Sequence, residues 1–200
     1  ATFHYLARSG YSGICEAGKE EGAWKPWLDT IVNGYGGTVN FNYTGPPDMS
    51  EFQDGQTLAP RRDGKCWYRY RLREMTVDPG VGALQRTVYE YLDLAGNPHP
   101  GTWVDDEFRG HPRVRVKQRD ANGAVVNAVE HDYFQGDGGP AIAACGVTLA
   151  DSAGLQGRVY RSVSYAADGT SELARRETAY LYRDLGGGRR FVGVQAECTY

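Results

Sequence analysis

One recurring punctuation restricts the fold of this chain more than any other feature. A tyrosine-bearing, strand-like run ends in Asp or Asn shortly before Gly. Tyr89-Glu90-Tyr91-Leu92-Asp93-Leu94-Ala95-Gly96 and Tyr180-Leu181-Tyr182-Arg183-Asp184-Leu185-Gly186-Gly187 are the clearest copies. Looser ones lie at Arg119-Asp120-Ala121-Asn122-Gly123 and Tyr165-Ala166-Ala167-Asp168-Gly169. The Asp or Asn side chain can bond the local backbone and the Gly tolerates positive φ, so each copy closes a hairpin. The expected fold is all-β, an antiparallel hairpin meander.

Composition agrees with that reading. In 200 residues there are 27 glycines and 14 tyrosines but only 2 methionines. Tyrosine suits half-buried pleated surfaces, and glycine at this density belongs to turns and bulges. The 22 basic and 25 acidic residues, for a net charge of −3, are mixed along the chain. Such a surface has no broad attraction for polyanions, so nucleic acid is not an expected partner. No apolar run is long enough for a membrane span, and the start, Ala1-Thr2-Phe3-His4-Tyr5, lacks the layout of a signal peptide.

Along the chain, residues 1–32 read as an irregular lead-in, in which Glu20 to Ile31 offers a helical turn weakened by Pro26. Residues 33–200 read as one β-sheet segment. Val39, Phe41 and Tyr43 alternate with polar neighbours in a half-buried strand. Residues 44–65 form a long loop. Cys66 to Leu92 is the best hairpin, turning at Asp78-Pro79-Gly80-Val81-Gly82, and the arginines at 69, 71 and 73 define a solvated side. A second loop, 94–110, precedes a strand from Arg113 with Val114 and Val116 inward, closed by residues 120–123 onto Ala124 to Tyr133. The stretch from Gly136 to Leu155 has no assignable pattern. Gly157 to Tyr165 and Leu173 to Tyr182 form another hairpin, and Phe191 to Tyr200 a last strand.

Asn33-Gly34-Tyr35-Gly36-Gly37 with Phe41-x-Tyr43, then Arg69-Tyr70 to Asp78, Tyr89-x-Tyr91, and Glu107-Phe108-Arg109-Gly110-His111-x-Arg113-Val114 follow one another in an order that resembles the rearrangement-hotspot (Rhs), or YD-repeat, proteins. The likeness is to the region leading into the shell of insecticidal toxin-complex B components. It rests mostly on residues 32–136. The Tyr-x-Tyr-Asp core here carries one extra residue, as in Tyr91-Leu92-Asp93. The resemblance implies a YD-repeat shell wall in a secreted or cell-surface toxin-delivery protein, enclosing a toxic C-terminal polypeptide without acting on it as an enzyme. Its partners would be that cargo or neighbouring shell segments. The self-cleaving region of that family has no counterpart here, so only the shell role carries over. Serial hairpins bury little individually and must share a core with their neighbours, which suits a wall.

Cys15, Cys66, Cys145 and Cys198 are candidate disulfide residues, with three possible connectivities, or else four buried thiols. Their spacing fits no Cys-x-x-Cys metal motif. His4, His99, His111 and His131 share no ligand spacing, and no cofactor or metal is expected. Glycine runs 34–37 and 186–188 lead into strands and read as turns.

The densest polar cluster, Trp103, Asp105, Asp106, Glu107, Arg109 and His111, has a bland reading as an acidic loop paired to Arg109. A hydrolase would need its carboxylates set apart across a cleft. The alternative function is a secreted carbohydrate- or surface-binding β module, which grips a cell-surface glycan or protein through Trp103, Asp106 and Arg109 or through Trp24 and Trp27.

Overall fold

The computed structural model describes residues 2–8, 25–44, 71–99, 101–104, 107–187 and 189–200. Fourteen strands are defined among them: β1 (Thr2–Arg8), β2 (Lys25–Val32), β3 (Thr38–Thr44), β4 (Arg71–Asp78), β5 (Gln85–Leu92), β6 (Thr102–Val104), β7 (Glu107–Gly110), β8 (Arg113–Arg119), β9 (Val125–Tyr133), β10 (Ile142–Ala144), β11 (Val147–Leu149), β12 (Val159–Tyr165), β13 (Glu172–Gly186) and β14 (Arg189–Thr199). The only helix among the described residues is a 3-10 turn, Ala153–Leu155. Ten strands form one sheet in the order β1-β2-β3-β4-β5-β8-β9-β12-β13-β14, a meander that never crosses over. β6–β7 and β10–β11 are separate two-stranded sheets.

By its contacts the chain divides into two compact units. The first comprises residues 1–89 and 118–125, the second 90–117 and 126–200. In the first, β3 pairs with β4 from Thr38↔Asp78 to Thr44↔Arg71, and β4 with β5 from Glu74↔Val88 to Val77↔Gln85. The expected hairpin is therefore present over 71–92; residues 66–70 lie outside those described.

The lead-in differs from its expected form. Lys25–Val32, where a helical turn was allowed, is strand β2, paired to β1 from Val32↔Thr2 to Lys25↔Arg8. Leu28, Thr30, Ile31 and Val32 favour the pleated form. Pro26 lies opposite Ala7 of β1 and outside the Thr30–Val32 stretch that also pairs with β3, so it interrupts one ladder and not two.

The hairpin tips repeat one device. Asn33, Asp93 and Asp120 each accept, through the side chain, the N–H four residues on: Gly37 at 2.8 Å, Asn97 at 2.8 Å and Ala124 at 2.9 Å. In each tip the residue before that donor is a Gly at positive φ: Gly36 at 87°, Gly96 at 92° and Gly123 at 83°. A type I turn followed by a left-handed residue closes three-residue hairpin loops in this way. Asp168 sits inside its own tip and accepts the N–H groups of Thr170 and Ser171 at 2.9 and 2.8 Å.

The second unit holds an apolar cluster of Phe134, Leu155 and Tyr160, flanked by Ile142, Leu149, Tyr180, Tyr182 and Val192. Phe134 and Tyr160 rings lie 5.1 Å apart, and the Tyr180 hydroxyl donates to the Val159 carbonyl at 2.9 Å. The patternless stretch of residues 136–155 supplies the other half of this cluster through β10, β11 and the 3-10 turn. Gly154 is needed there. A Cβ on it would fall 2.0 Å from the Tyr182 ring.

Candidate functional site

Within the second unit the central strands bury charge. Registers from Asp132↔Arg161 to Ala128↔Tyr165 between β9 and β12, and from Arg161↔Glu177 to Ser164↔Ala174 between β12 and β13, put Ala128, Glu130, Asp132, Arg161, Val163, Tyr165, Arg175 and Glu177 on one face. Side chains alternate across a sheet, so Val129, His131, Ser162, Ser164 and Arg176 lie on the other. The centre of the first face is dry: Glu130 is 1 % exposed, Asp132 2 % and Val163 1 %.

β8 brings the matching cations. The Arg113 guanidinium grips Asp132 bidentately, Nε to Oδ1 at 2.6 Å and Nη2 to Oδ2 at 3.0 Å, and its Nε lies 3.1 Å from Glu130 Oε1. Arg115 donates twice to Glu130 Oε2, at 2.9 and 2.6 Å. Arg161 closes the far side, 3.5 Å from Asp132 and 4.0 Å from Glu130. Tyr165 donates its hydroxyl to Glu130 at 3.4 Å and lies under the Arg115 guanidinium at 5.7 Å. Lys117 pairs with Glu90 further along β8. Three guanidinium groups thus surround two carboxylates, a planar fork-on-carboxylate arrangement that Arg supports and Lys does not.

Burial pulls the Arg113 guanidinium down, but its hydrogen bond to Asp132 and the charges of Asp132 and Glu130 outweigh it and hold its pKa above the ordinary value. Burial, with the Asp132 charge adding, pushes the Tyr160 hydroxyl up to about 12. This network corrects the expectation for β8. Val114 and Val116 are only half-buried, whereas Arg113 is nearly closed off. The cause is register: the odd-numbered side chains of β8 face two carboxylates that cannot be dry without partners.

On the opposite face His131 Nδ1 lies 2.9 Å from Ser162 Oγ. Burial holds its pKa below the usual histidine value, with the Asp132 charge opposing. Nearby, buried Asp151 accepts the Gln135 and Gly136 N–H groups at 3.1 and 2.7 Å, tying the exit of β9 to the residues that follow β11. Burial raises its pKa, the two backbone bonds lower it and Asp137 raises it further, leaving it above the usual carboxylate range.

The residues singled out in sequence are not gathered in one place. Trp103 lies on β6 opposite Phe108 by backbone register, and Asp106, like Asp105, falls outside the described residues. Arg109 binds Glu107 at 2.9 Å and donates to Gln156 at 2.6 Å. Where a loop was expected over 94–110, Thr102–Val104 and Glu107–Gly110 pair as the β6–β7 hairpin. Its end carries His111, whose ring lies 4.6 Å from Tyr91 and 5.5 Å from Phe108. Cys145 and Cys198 are joined by a disulfide with a Cα–Cα distance of 5.6 Å. Cys15 and Cys66 lie outside the described residues. Among the described residues no group of three or more His, Cys, Asp or Glu is placed to hold a metal ion, and no helix is long and apolar enough to cross a membrane.

The buried Arg-carboxylate network was missed in sequence. The signal was Arg113-x-Arg115-x-Lys117 on one strand and Glu130-x-Asp132 on the next, two same-face runs of opposite charge joined through the hairpin tip at Asp120.

The amino-acid sequence matches no protein-family model and no curated protein. Its fold does match solved structures of the TcdB2–TccC3 toxin complex. Against the form without the hypervariable C-terminal region the TM-score is 0.60 at 15 % identity, covering 88 % of this chain and 10 % of that one. Against TcdB2–TccC3 it is 0.59 at 16 % identity, covering 88 % and 11 %. The TcdB2–TccC3-TEV structure gives 0.58 at 16 % identity, covering 88 % and 10 %. The chain spans about a tenth of the length of the chains it matches. The meander is therefore the same fold as a segment of a much longer toxin-complex chain.

Proposed function

We propose that this chain is a wall segment of an Rhs-type shell, part of a secreted or cell-surface toxin-delivery protein that encloses a polypeptide cargo and does not transform it. The observation that carries the proposal is the fold match over nearly the whole chain to a small part of a toxin-complex chain. The architecture supports it. A ten-strand sheet without crossovers can be extended strand by strand, and β14 pairs only with β13 among the described residues. Its outer edge offers backbone groups on which a neighbouring shell segment can continue the sheet. The most buried carboxylates, Glu130 and Asp132, are held by arginines, an arrangement that stiffens a wall and leaves neither free for proton transfer.

The test is protease protection in the full-length protein that contains this segment. Removing the hairpin of residues 157–182 opens the wall, so an enclosed region that resists protease in the parent is digested in the variant. A cargo equally resistant with and without the hairpin rejects the enclosing role.

A further inference from the structure

We propose that the Cys145–Cys198 disulfide is a redox-sensitive clasp: it pins the β10–β11 hairpin to the last strand of the sheet, and its reduction frees the hairpin while the sheet stays paired. This inference stands apart from the enclosing role and concerns only how the second unit is held closed.

The hairpin is small. β10 and β11 pair over Ile142↔Leu149, Ala143↔Thr148 and Ala144↔Val147, and form a sheet of their own. Two strands of this length do not hold together unaided in water. Its base packs through Ile142 and Leu149 against the Phe134–Leu155–Tyr160 cluster. Its tip, Cys145-Gly146, is held by the disulfide to β14 and by the Cys145 N–H, which donates to Glu177 Oε2 at 2.9 Å. Glu177 and Cys198 are direct cross-strand neighbours, so both tethers meet the sheet at one point.

The backbone of the tip singles out the cysteine. Cys145 has φ 50° and Gly146 φ 71°, the left-handed pair of a two-residue hairpin turn. Asn, Asp or Gly normally fills the first of these positions, because other side chains crowd the backbone there. Cys145 is the only non-glycine residue at positive φ among those described. A residue ill-suited to the turn is therefore held where its sulfur reaches β14. Both cysteines are half-buried, which leaves the bond open to an attacking thiolate.

The chemistry needs a dithiol reductant. One of its thiolates attacks a cystine sulfur, the Cys145–Cys198 bond breaks, and a mixed disulfide forms. The second thiol displaces the protein sulfur and closes a disulfide on the reductant. Two electrons and two protons pass to the protein, which then carries two thiols.

Amide hydrogen exchange on the whole chain, oxidised and after dithiothreitol, reads the clasp directly. A Cys145→Ser/Cys198→Ser double variant without reductant isolates this bond from Cys15 and Cys66. The expected result, in both reduced protein and double variant, is an acceleration of exchange over residues 142–149 at least tenfold greater than that over 125–133 and 159–165. Unchanged exchange over 142–149 overturns the proposal. So does an equal acceleration across all three segments, since the bond would then be only a staple of the whole unit. A Cys145→Asn/Cys198→Ser variant separates turn preference from crosslinking. Oxidised-like protection at 142–149 in that variant would also overturn the clasp, because the turn alone would then hold the hairpin.

Discussion

Two regions of the second unit are equally dry and opposite in chemistry. Phe134, Leu155 and Tyr160 exclude water with hydrocarbon, whereas Glu130, Asp132 and Arg113 do so with matched charge, and Phe134 lies only two residues beyond Asp132. Hydrocarbon packing degrades gradually, because each missing methylene loses a share of contacts. A charged network fails as a set. Once one partner goes, the remaining charge stays buried without compensation. The apolar corner therefore supplies most of the driving force for burial, and the charged ladder fixes which strands may lie beside one another.

The sharpest way to break that contrast is at Arg113. Arg113→Ala removes the bidentate partner of Asp132, leaving it only the looser Arg161 contact at 3.5 Å, and is expected to cost about 3–5 kcal/mol in urea unfolding. Phe134→Ala costs a similar amount, about 3–5 kcal/mol, through its cavity. The two regions part company in the paired change. Arg113→Met with Asp132→Leu removes both charges and should regain most of the loss, leaving the protein near the parent or above it. If the double variant is as unstable as the sum of the two single changes, the ladder is not acting as a matched set and the comparison fails. A double-mutant cycle on Arg113 and Asp132 gives the coupling directly.

The disulfide is next in size. Its closed loop has a sequence separation of 53, for which restriction of the unfolded chain stabilises by about 2–4 kcal/mol. Cys145→Ser/Cys198→Ser should lower the melting temperature accordingly. It should leave the Arg113–Asp132 coupling unchanged, because the two lie on different strands. A changed coupling would mean that the hairpin, and not the ladder alone, keeps that face dry.

Turn chemistry lies below both. Asp120 accepts two backbone N–H groups, from Asn122 and Ala124, each at 2.9 Å. Asp120→Ala leaves those donors to water at an exposed tip and should cost about 1 kcal/mol. Equilibrium unfolding of this single variant measures it, and a loss of 3 kcal/mol or more would place the tips on the level of the ladder.

That order of magnitudes also separates what was legible in sequence from what was not. The tips were readable, because Asp93-Leu94-Ala95-Gly96 and Asp120-Ala121-Asn122-Gly123 carry their acceptor and their left-handed residue within one short string. So were the hairpins of β4–β5 and β12–β13, whose register follows from alternation. The ladder was not. Arg113 beside Val114 reads as a cation on the wet side of a strand, and only the placement of Glu130 and Asp132 on β9 reverses that. β10 and β11 were illegible for a related reason. Three-residue strands are too short to carry a period, and their positions are set by Cys198, Glu177 and Phe134, all outside the hairpin. For the ligand-contact set Trp103, Asp106 and Arg109, only the Arg109 side chain can be followed, and it is spent on Glu107 and Gln156.

Acid titration carries the comparison to its smallest terms. His131 is held below its ordinary pKa, so the folded chain prefers it neutral. Its contribution is complete above the unfolded value of about 6.5 and is lost as pH falls from that value through the lower folded one. Asp168 behaves likewise at lower pH and with a local cause. The Ser171 hydroxyl, then the Ser171 and Thr170 N–H groups, hold its carboxylate at about 2. The unfolded value is near 3.9, so its contribution is present above that pH and fades as pH falls towards 2. Because this tip is fully exposed, the consequence is best read by NMR titration of the carboxyl carbon and not by stability. Ser171→Ala removes the first-ranked cause and should move the midpoint upward, part of the way to the unfolded value, with the rest held by the two backbone bonds. A midpoint that does not move would assign the depression to the backbone alone. The tip would then be a pure main-chain device, which would widen its distance from the side-chain ladder on β8 and β9.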